Sequence, residues 1–520
     1  MNGDFDIAVI GSGFGGSLMA MIARRLGHSV VMVERGRHPR FAIGESSTPL
    51  ANLLLEELAH RYELPEVVSL AKWGTWQRAH PEIPCGLKRG FTFYHHTLGQ
   101  PWAAEPGRTN ELLVAASPHD AIADTHWYRP DFDHFLVREA QRLGVEYLDE
   151  TKLTGSSIGS DGVTLCGQRH GKALELKARF VIDATGPRGF LHQALGLGET
   201  TFEHLPATEA LYTHFREVGR WDSLTHSDEP PPYPVDDAAL HHVFDGGWIW
   251  VLRFNNGVIS AGVAATADVA RRFRFNEGET AWHRLLEQLP GASYQFKNAR
   301  ADRTFVHAPQ LSFRSARVAG GNWALLPSAA GFVDPLLSSG FPLTLLGIER
   351  LARVLQDDWV TDRLETRLQH YERQTLRELD VTAELVGALY ANMGDMEMFS
   401  AITLLYFAAA MTAETKRRIG AAGLPPGFLL ESDATFGPAL RECLRTCRMP
   451  GIRARTAGLT AIQRAIEPIN FARLGDPSRR NWYPCLAGDL LEAAPKLGVG
   501  RDVIEQLLAR CGFDETSRAS

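Results

Sequence analysis

A glycine-rich turn close to the start of the chain restricts the fold more than any other feature of the sequence. The run 11–16, Gly-Ser-Gly-Phe-Gly-Gly, stands between a strand-like stretch, 5–10, and a helical stretch. Gly11 permits a tight turn, Gly13 lets a pyrophosphate approach the backbone, and Gly16 lets the helix pack closely on the strand. The phosphate charge then meets the helix N-terminus. The pattern therefore predicts a dinucleotide-binding unit.

An acidic residue completes this unit. A second apolar run, 29–33, ends in Glu34, which stands 18 residues after Gly16. A spacing of about 20 residues is typical of the acid that binds a ribose 2′-hydroxyl. A lone glycine-rich turn is weak evidence, because such turns also occur without a ligand. Strand, helix, second strand and acid in this order favour a nucleotide site over an ordinary turn.

The rest of the chain predicts an α/β protein with two or three structural units. Its 520 residues exceed the roughly 250–300 at which single cores stop growing. Residues 41–125 are rich in Gly, Pro and aromatic residues, which indicates loops and sheet rather than helices. Further patterns indicate a helix at 131–143, a buried strand at 180–186, a hairpin of strands 246–254 and 258–263, and a helical segment from residue 344 onward.

Composition narrows the classes of partner. The net charge of −7 argues against a nucleic-acid partner, whose phosphates require a basic surface. The longest apolar stretch, 401–413, is shorter than the roughly 18 residues of a membrane span, so it predicts a buried helix. The chain enters its first strand at Phe5, which leaves no signal peptide. We therefore expect a cytoplasmic protein with no membrane partner.

The cysteines and a group of arginines have ordinary explanations. The six cysteines show no metal-type clustering with histidine, so we expect reduced thiols and no metal site. Cys443 and Cys447 are four residues apart, a spacing that favours packing on one helix face over a zinc site. Arg441, Arg445 and Arg448 also share helical spacing, and they form either a solvated face or a surface for an acidic partner.

Four further segments follow the glycine-rich turn in the chain. Together they resemble the flavin-dependent halogenases over most of residues 1–360. They are Gly-Glu-Ser-Ser-Thr-Pro at 44–49, Cys-Gly-Leu-Lys-Arg-Gly-Phe at 85–91, Trp-Ile-Trp-Val-Leu-Arg at 248–253 and Gly-Phe-Val-Asp-Pro-Leu-Leu-Ser-Ser-Gly at 331–340. The second segment and Asn255-Asn256 look most like the phenolic halogenases. Taken singly, a lysine beside an arginine indicates surface charge, and alternating tryptophans indicate one packed strand face. Their joint order favours the family.

The resemblance implies an FADH2-dependent enzyme that places chlorine or bromine on an electron-rich, phenolic ring. Reduced FAD, O2 and chloride or bromide yield hypohalous acid, which the catalytic residue Lys88 receives. Either a neutral Lys88 amine forms a haloamine, or a Lys88 ammonium donates a hydrogen bond to the oxidant, and the sequence leaves both open. The expected partners are a separate NAD(P)H flavin reductase and a small aromatic substrate, free or carrier-bound.

The fingerprint and the resemblance also assign the remaining site residues and the domains. The residues expected to bind the cofactor are Gly11, Gly13, Phe14, Gly15, Gly16, Glu34, Arg35, Glu45, Ser47, Arg129, Asp183 and Asp334. Ser339 and Gly340 are expected to bind the halide. Trp248, Trp250 and Leu337 are expected to contact the substrate. We expect 1–60, 126–195 and 313–360 to form a Rossmann-like FAD-binding domain, 61–125 and 196–312 an antiparallel substrate-binding sheet domain, and 361–520 a helical C-terminal region.

The chain departs from the family pattern at three places. Leu252 and Arg253 replace the Ile and Pro that end the tryptophan signature. Pro327-Ser328 replaces a Gly-Asp pair whose carboxylate binds the ribityl chain, which weakens the expected hold on FAD. Leu337 stands where tryptophan halogenases carry a glutamate, which argues against free tryptophan as substrate. Two alternatives stay open. The protein is a flavin-dependent aromatic hydroxylase, or it is a relative that binds flavin but has lost its activity through Arg253.

Overall fold

The structure is a computed structural model that describes residues 2–159, 162–223, 229–359, 361–420 and 427–513. Its strands are β1 (Asn2–Ile10), β2 (Val30–Val33), β3 (Cys85–Lys88), β4 (Gly90–His95), β5 (Glu111–Ala115), β6 (Asp124–Trp127), β7 (Glu146–Leu148), β8 (Thr151–Gly159), β9 (Gly162–Arg169), β10 (Lys172–Asp183), β11 (Thr208–Arg216), β12 (Ala239–Phe244), β13 (Gly247–Arg253), β14 (Ile259–Thr266), β15 (Arg300–Ala301), β16 (Val306–Ala308), β17 (Phe313–Arg314), β18 (Ala319–Gly320), β19 (Trp323–Leu325), β20 (Gly331–Phe332) and β21 (Trp482–Tyr483). Its α-helices are α1 (Phe14–Arg25), α2 (Pro49–Arg61), α3 (Pro65–Val68), α4 (Trp73–Ala79), α5 (Arg129–Arg142), α6 (Phe190–Ala194), α7 (Ala267–Phe273), α8 (Glu279–Glu287), α9 (Pro290–Gln295), α10 (Pro327–Ala330), α11 (Gly340–Asp357), α12 (Leu364–Tyr390), α13 (Met396–Ile419), α14 (Phe436–Cys447), α15 (Ile452–Ile466), α16 (Ala487–Glu492) and α17 (Arg501–Cys511).

The first sheet carries the predicted dinucleotide-binding unit. Its strands lie in the order β18-β19-β10-β1-β2-β7, and β9 and β8 continue it from β10. β1 pairs in parallel with β10 on one side and with β2 on the other. All four residues of β2 are buried, as expected for a parallel strand covered on both faces of its sheet. The strands predicted near 5–10, 29–33 and 180–186 are therefore confirmed.

The second sheet has the order β15-β11-β14-β13-β12-β4-β5-β21, with β16 beside β11. The predicted hairpin is present as the antiparallel pair β13 and β14. The sheet is mainly antiparallel, as expected, but it also contains two parallel pairs, β12 with β4 and β21 with β5. These partners come from distant chain segments, and local sequence patterns carry no information on the direction in which such strands meet.

The segment that the sequence assigned to loops and sheet contains helices as well, and the clearest is α2. Thr48 caps this helix by accepting a hydrogen bond from the Ala51 amide (3.3 Å), and Pro49 occupies its first turn. Leu54 and Leu58 are buried on its inner face. The prediction for 41–125 is thus wrong at this helix, because capping and periodicity outweigh the Gly and Pro content around it.

The C-terminal part is helical, as expected. Helix α13 contains the predicted buried stretch 401–413 and is the described helix whose length and apolar composition would suit a membrane span. Of its apolar window, 78% is buried inside the protein, as in a core helix. On α14, Cys443 and Cys447 are buried free thiols. Of the three arginines with helical spacing, Arg445 on α14 pairs with Glu442, and Arg448, directly after the helix, donates to a backbone carbonyl.

Candidate functional site

The largest feature of the site is a cavity of about 490 Å³ between the first sheet, the second sheet and the start of α11. Its walls include the glycine-rich turn, the loop before α2, one face of β13 and the segment 331–340. Among the residues that line it are Gly13, Phe14, Gly15, Arg40, Gly44, Glu45, Ser46, Arg129, Trp248, Trp250, Leu252, Ser328, Asp334, Ser339 and Gly340. The fold therefore brings three of the four segments that resemble the halogenases to one cavity, and the fourth, with Lys88, lies directly behind it.

The glycine-rich turn has the geometry of a phosphate cradle. Gly11 has a φ of +94°, and a Cβ there would lie 2.8 Å from the carbonyl oxygen of Ala184. A Cβ on Gly16 would lie 2.0 Å from the carbonyl oxygen of Gly11, so only glycine fits. Helix α1 starts at Phe14 without a side-chain cap, which leaves its first amides for a ligand. Arg40 and Arg129 supply positive charge to the same cavity.

Glu34 directly follows β2 and accepts hydrogen bonds from several donors. Its carboxylate accepts hydrogen bonds from the amide and hydroxyl of Ser12 (3.1 and 2.9 Å), from the Gly36 amide (2.8 Å) and from Arg40 (3.1 Å). Burial alone would raise its pKa, but Arg40 and these hydrogen bonds hold the pKa of Glu34 below its ordinary value. The side chain therefore stays ionised and can accept a further hydrogen bond from a ribose hydroxyl.

These residues fit FAD. Free helix amides and two arginines suit the pyrophosphate, and the ionised Glu34 suits the ribose. The remaining walls are largely apolar and include the rings of Trp248 and Trp250. The sequence assigned these two residues to the substrate, but their rings line the large cavity and suit a planar flavin. Where the family has a carboxylate, Ser328 presents a hydroxyl to the cavity.

The loop 44–47 forms the wall between this cavity and Lys88. Glu45 accepts a hydrogen bond from His214 of β11 (2.8 Å), and both side chains are only 1% exposed. Ser47 donates to the carbonyl oxygen of Thr125 (2.7 Å). The loop is thus fixed at both ends, to the second sheet through Glu45 and to β6 through Ser47.

Lys88 is completely buried directly behind this loop. Its Nζ donates to Ser46 Oγ (2.9 Å) and to the carbonyl oxygen of Ser47 (2.5 Å), and it lies 3.7 Å from the centroid of the Phe91 ring. The alternative of a surface lysine is therefore wrong. Burial lowers the pKa of Lys88, and the negative charge of Asp124 opposes this effect.

A second, smaller cavity lies on the far side of Lys88. It is lined by Thr48, Pro49, Leu50, Phe91, Val114, Ala115, Ala116, Tyr406, Phe407, Ala410, Met411, Glu414 and Phe428. Phe91 belongs to this cavity and contacts Lys88, whereas Ser46 belongs to the large cavity and accepts a hydrogen bond from Lys88. Lys88 therefore lies between the two cavities and touches a wall of each.

The segment 334–340 forms a tight turn at the edge of the large cavity. Asp334 accepts hydrogen bonds from the Leu336 amide and from the Tyr390 hydroxyl (both 2.9 Å), and burial raises its pKa to about 7. Leu337 has a φ of +66° and its carbonyl oxygen accepts from Tyr406 (3.0 Å). The turn leads into α11, whose N-terminal residues Ser339 and Gly340 line the cavity.

Eight of the residues assigned from the sequence do not line the large cavity. Gly11, Gly16, Glu34 and Lys88 are described above, and the other four are Arg35, Ser47, Asp183 and Leu337. Arg35 is exposed. Ser47 holds the loop as described, and Leu337 is 1% exposed. The buried Asp183 accepts hydrogen bonds from Thr185 and from the Leu191 amide (2.6 Å), which fixes the turn after β10. Asp183 thus shapes the turn beside the cradle and does not line the cavity.

Arg253 points away from the large cavity. On β13, Trp248, Trp250 and Leu252 face the cavity, and the residues between them face the core on the other side of the sheet. Arg253 forms an ion pair with the buried Asp236 (3.1 Å) on that other side. Arg253, which stands in place of the family's proline, therefore stabilises the fold through this ion pair and does not line the cavity.

Several site residues carried no signal in the sequence. Arg40, Ser46 and His214 take their places through loop geometry or through pairing of distant strands. Ser46 lies in the segment 44–49, which the sequence identified as part of the site, but the sequence did not predict its contact with Lys88. The fold and the site together define a flavin-binding α/β protein with a buried lysine behind the flavin cavity.

Comparisons with known proteins identify the family. The tryptophan halogenase family model matches residues 123–398. The chain is 30% identical over 421 residues to the monodechloroaminopyrrolnitrin halogenase PrnC of Pseudomonas fluorescens, covering 77% of this chain and 70% of that relative. It is 26% identical over 423 residues to the tetracycline 7-halogenase of Kitasatospora aureofaciens, covering 78% of this chain and 73% of that relative. The crystal structure of halogenase PltM with phloroglucinol and FAD has the same fold, with a TM-score of 0.81 and 24% identity over 92% of this chain and 99% of that chain.

The chain belongs to the flavin-dependent halogenases. It is an FAD-dependent enzyme that halogenates aromatic substrates, and the expected α/β fold with its helical C-terminal region is confirmed. The alternative of an aromatic hydroxylase is not favoured, because the relatives named here are halogenases.

Proposed function

We propose that this halogenase chlorinates or brominates an electron-rich phenolic ring through hypohalous acid received by Lys88. One observation carries the proposal: Lys88 is fully buried between two cavities and contacts a wall of each. The large cavity fits FAD. The small one has aromatic and apolar walls but a volume of only about 40 Å³, so we place the aromatic acceptor on this side of Lys88 and expect the cavity to widen when the ring binds.

The residues around Lys88 suit the transfer of a reactive oxidant. Reduced FAD, when bound, supplies hypohalous acid together with O2 and a halide. The loop 44–47 separates the cavities, and its Ser46 both lines the large cavity and accepts a hydrogen bond from Lys88, so we expect the oxidant to reach the lysine past this side chain. Lys88 holds the oxidant, and a ring carbon forms its bond to the halogen as the halogen–oxygen bond breaks. The released hydroxide and the ring proton together leave as water.

A phenol is the preferred acceptor for two reasons. Its hydroxyl raises the electron density of the ring, so the substrate itself supplies the activation that electrophilic substitution needs. The relatives point the same way, since PltM was crystallised with phloroglucinol and another relative halogenates tetracycline. Leu337 stands where tryptophan halogenases carry a glutamate, and its apolar side chain offers no carboxylate to assist an indole.

The experiment combines the purified protein, FAD, a flavin reductase, NADH and bromide with a panel of phenols and their O-methyl ethers. We expect brominated phenols, recognised by the paired isotope pattern of bromine in the mass spectrum, and little product from the ethers. Hydroxylated products, or equal bromination of phenols and ethers, would contradict the proposal. A phenol linked to a carrier protein serves as a second panel, because the substrate is either free or carrier-bound.

A separate flavin reductase is the proposed source of FADH2. The described residues contain one glycine-rich nucleotide cradle, and membership of the flavin-dependent halogenases, with Glu34 in place for the ribose, assigns this cradle to FAD. The protein alone, with FAD bound, should therefore leave NADPH unoxidised in the same assay.

We place the halide at the N-terminus of α11, beside Ser339 and Gly340. The first amides of an 18-residue helix lack intrahelical acceptors and lie at the positive end of the helix dipole. Both residues line the large cavity, so the halide would lie next to the flavin.

A crystal soaked in bromide tests this placement. We expect an anomalous-scattering peak beside the amides of Ser339 and Gly340, and we expect chloride to compete for the position. A bromide peak elsewhere in the large cavity, with none at this turn, would refute the assignment.

A further inference from the structure

Lys88 faces a carboxylate that was not among the predicted site residues. Lys88 ends β3 and Asp124 begins β6, and the two residues stand opposite each other in this antiparallel pair. Such residues have Cβ atoms about 4.5–5.5 Å apart and direct their side chains to the same face. Lys88 is 0% exposed and Asp124 is 6% exposed, so neither charge is hydrated by bulk water.

The two side chains act on each other across a short gap and not through a direct ion pair. Lys88 gives two of its hydrogens to Ser46 and Ser47. Asp124 Oδ1 accepts a hydrogen bond from Asn52 of α2 (2.7 Å), and Oδ2 has no hydrogen-bond partner among the described residues. One carboxylate oxygen therefore remains uncompensated in a buried position beside the lysine.

The basic groups close to Lys88 carry no charge that competes with it. His126 neighbours Asp124 on β6, and burial lowers its pKa well below the ordinary value. Burial also lowers the pKa of His241, on β12, to about 3. Both imidazoles are neutral near pH 7, so neither competes with Lys88 for the negative charge of Asp124.

The other groups around Asp124 are either paired or neutral. Glu414 on α13 forms an ion pair with Arg418 (2.7 Å). Burial raises the pKa of Tyr406 and of Cys485, which keeps both uncharged. Burial raises the pKa of Asp124, and among the described residues the charge of Lys88 opposes this shift most strongly, with a smaller contribution from Arg418.

We propose that Asp124 is the counter-ion that keeps Lys88 an ammonium at the halogenation site. The inference rests on the proposed role of Lys88 and makes Asp124 a positioning residue. An ammonium has three hydrogens, of which Ser46 and Ser47 take two, so the third is available to hold the oxidant. The Phe91 ring, 3.7 Å from Nζ, also favours a cation.

The sign of the expected pH effect follows from the buried charges. Burial lowers the pKa of Lys88, and the carboxylate of Asp124 opposes this effect. Asp124→Asn removes the opposing charge with almost no change of shape, so the pKa of Lys88 falls further. An opposite charge at this range shifts a pKa by about 1–3 units. The variant should therefore lose the Lys88 ammonium at a lower pH than the wild type does.

The direct test is an NMR titration of the full-length protein labelled with ¹³C at lysine Cε. The chain has eight lysines, and Lys88→Arg assigns the resonance of interest by its disappearance. We expect the Lys88 midpoint in Asp124→Asn to lie at least about 1 pH unit below the wild-type midpoint. Asp120→Asn is the matched control, because Asp120 pairs with the neighbouring Arg89 and is half-exposed, so its removal should leave the midpoint unchanged.

The pH profile of halogenation gives the second readout. If Lys88 acts as an ammonium, the loss of halogenation activity at alkaline pH begins at a lower pH in Asp124→Asn than in the wild type. In Asp124→Glu, which keeps the carboxylate, it begins near the wild-type pH. An unchanged midpoint and profile, or improved activity at low pH, would overturn the inference. Asp124→Ser gives the same comparison if the amide variant does not fold. Since the titration needs no turnover, it separates failure of this inference from failure of the proposed function.

Discussion

Replacing Lys88 with methionine should abolish halogenated product while the protein keeps FAD. Methionine fills most of the buried volume but has neither a charge nor an N–H to hold the oxidant. We expect turnover to fall by about 10²–10⁴-fold, the range for loss of a proton-donating or proton-accepting group. Because Ser46 stands between Lys88 and the large cavity, FAD absorbance and affinity should stay close to wild type. Product is measured by mass spectrometry and bound FAD by absorbance after gel filtration.

Two comparison variants make this result specific. Lys88→Arg stays protonated and cannot act as a neutral nucleophile, so residual product in this variant supports hydrogen bonding over a haloamine. Lys72→Ala removes a half-exposed lysine paired with Glu56 and should change stability by no more than about 0.5 kcal/mol. Near-normal halogenation by Lys88→Met, with unchanged regiochemistry, would remove Lys88 from the mechanism.

Gly16→Ala should prevent both FAD binding and normal folding. A methyl group at this position would lie 2.0 Å from the carbonyl oxygen of Gly11, and backbone cannot move aside as a flexible side chain does. Helix α1 would have to shift away from β1, which we expect to cost about 3 kcal/mol or more. The same shift would displace the amides that meet the pyrophosphate. Thermal unfolding and FAD titration measure the two effects.

The matched control for this variant is Gly488→Ala. Gly488 lies in α16, and a Cβ there has nothing within 4 Å. Alanine in a helix is more stable than glycine by about 0.5–1 kcal/mol, so this variant should be unchanged or slightly stabilised. If both glycine variants bound FAD equally well, the assigned cradle would be incorrect.

The sequence predicted the parts of the site that are contiguous in the chain. The glycine-rich turn and Glu34 belong to one βαβ unit, whose geometry depends on local spacing. Helix α2 was missed although Thr48 and Pro49 are ordinary start signals, because the surrounding composition dominated the interpretation.

The remainder of the site depends on contacts between distant segments. Asp124 stands 36 residues from Lys88 and meets it only because two short strands pair in one particular register. His214 reaches Glu45 from another sheet, 169 residues away. Spacing cannot reveal such contacts, since neither residue type nor periodicity marks the partner. The side of β13 on which Arg253 lies could be read from alternation, but its partner Asp236 could not.

The wall formed by the loop 44–47 has an evolutionary consequence. If the small cavity holds the aromatic ring, the residues that choose the substrate and the residues that handle the flavin occupy separate compartments. Mutations among the α13 side chains could then diversify the product without disturbing the supply of oxidant. The flavin cavity would then supply the same oxidant to different substrates, and new substrate specificities would arise through changes in the small cavity alone.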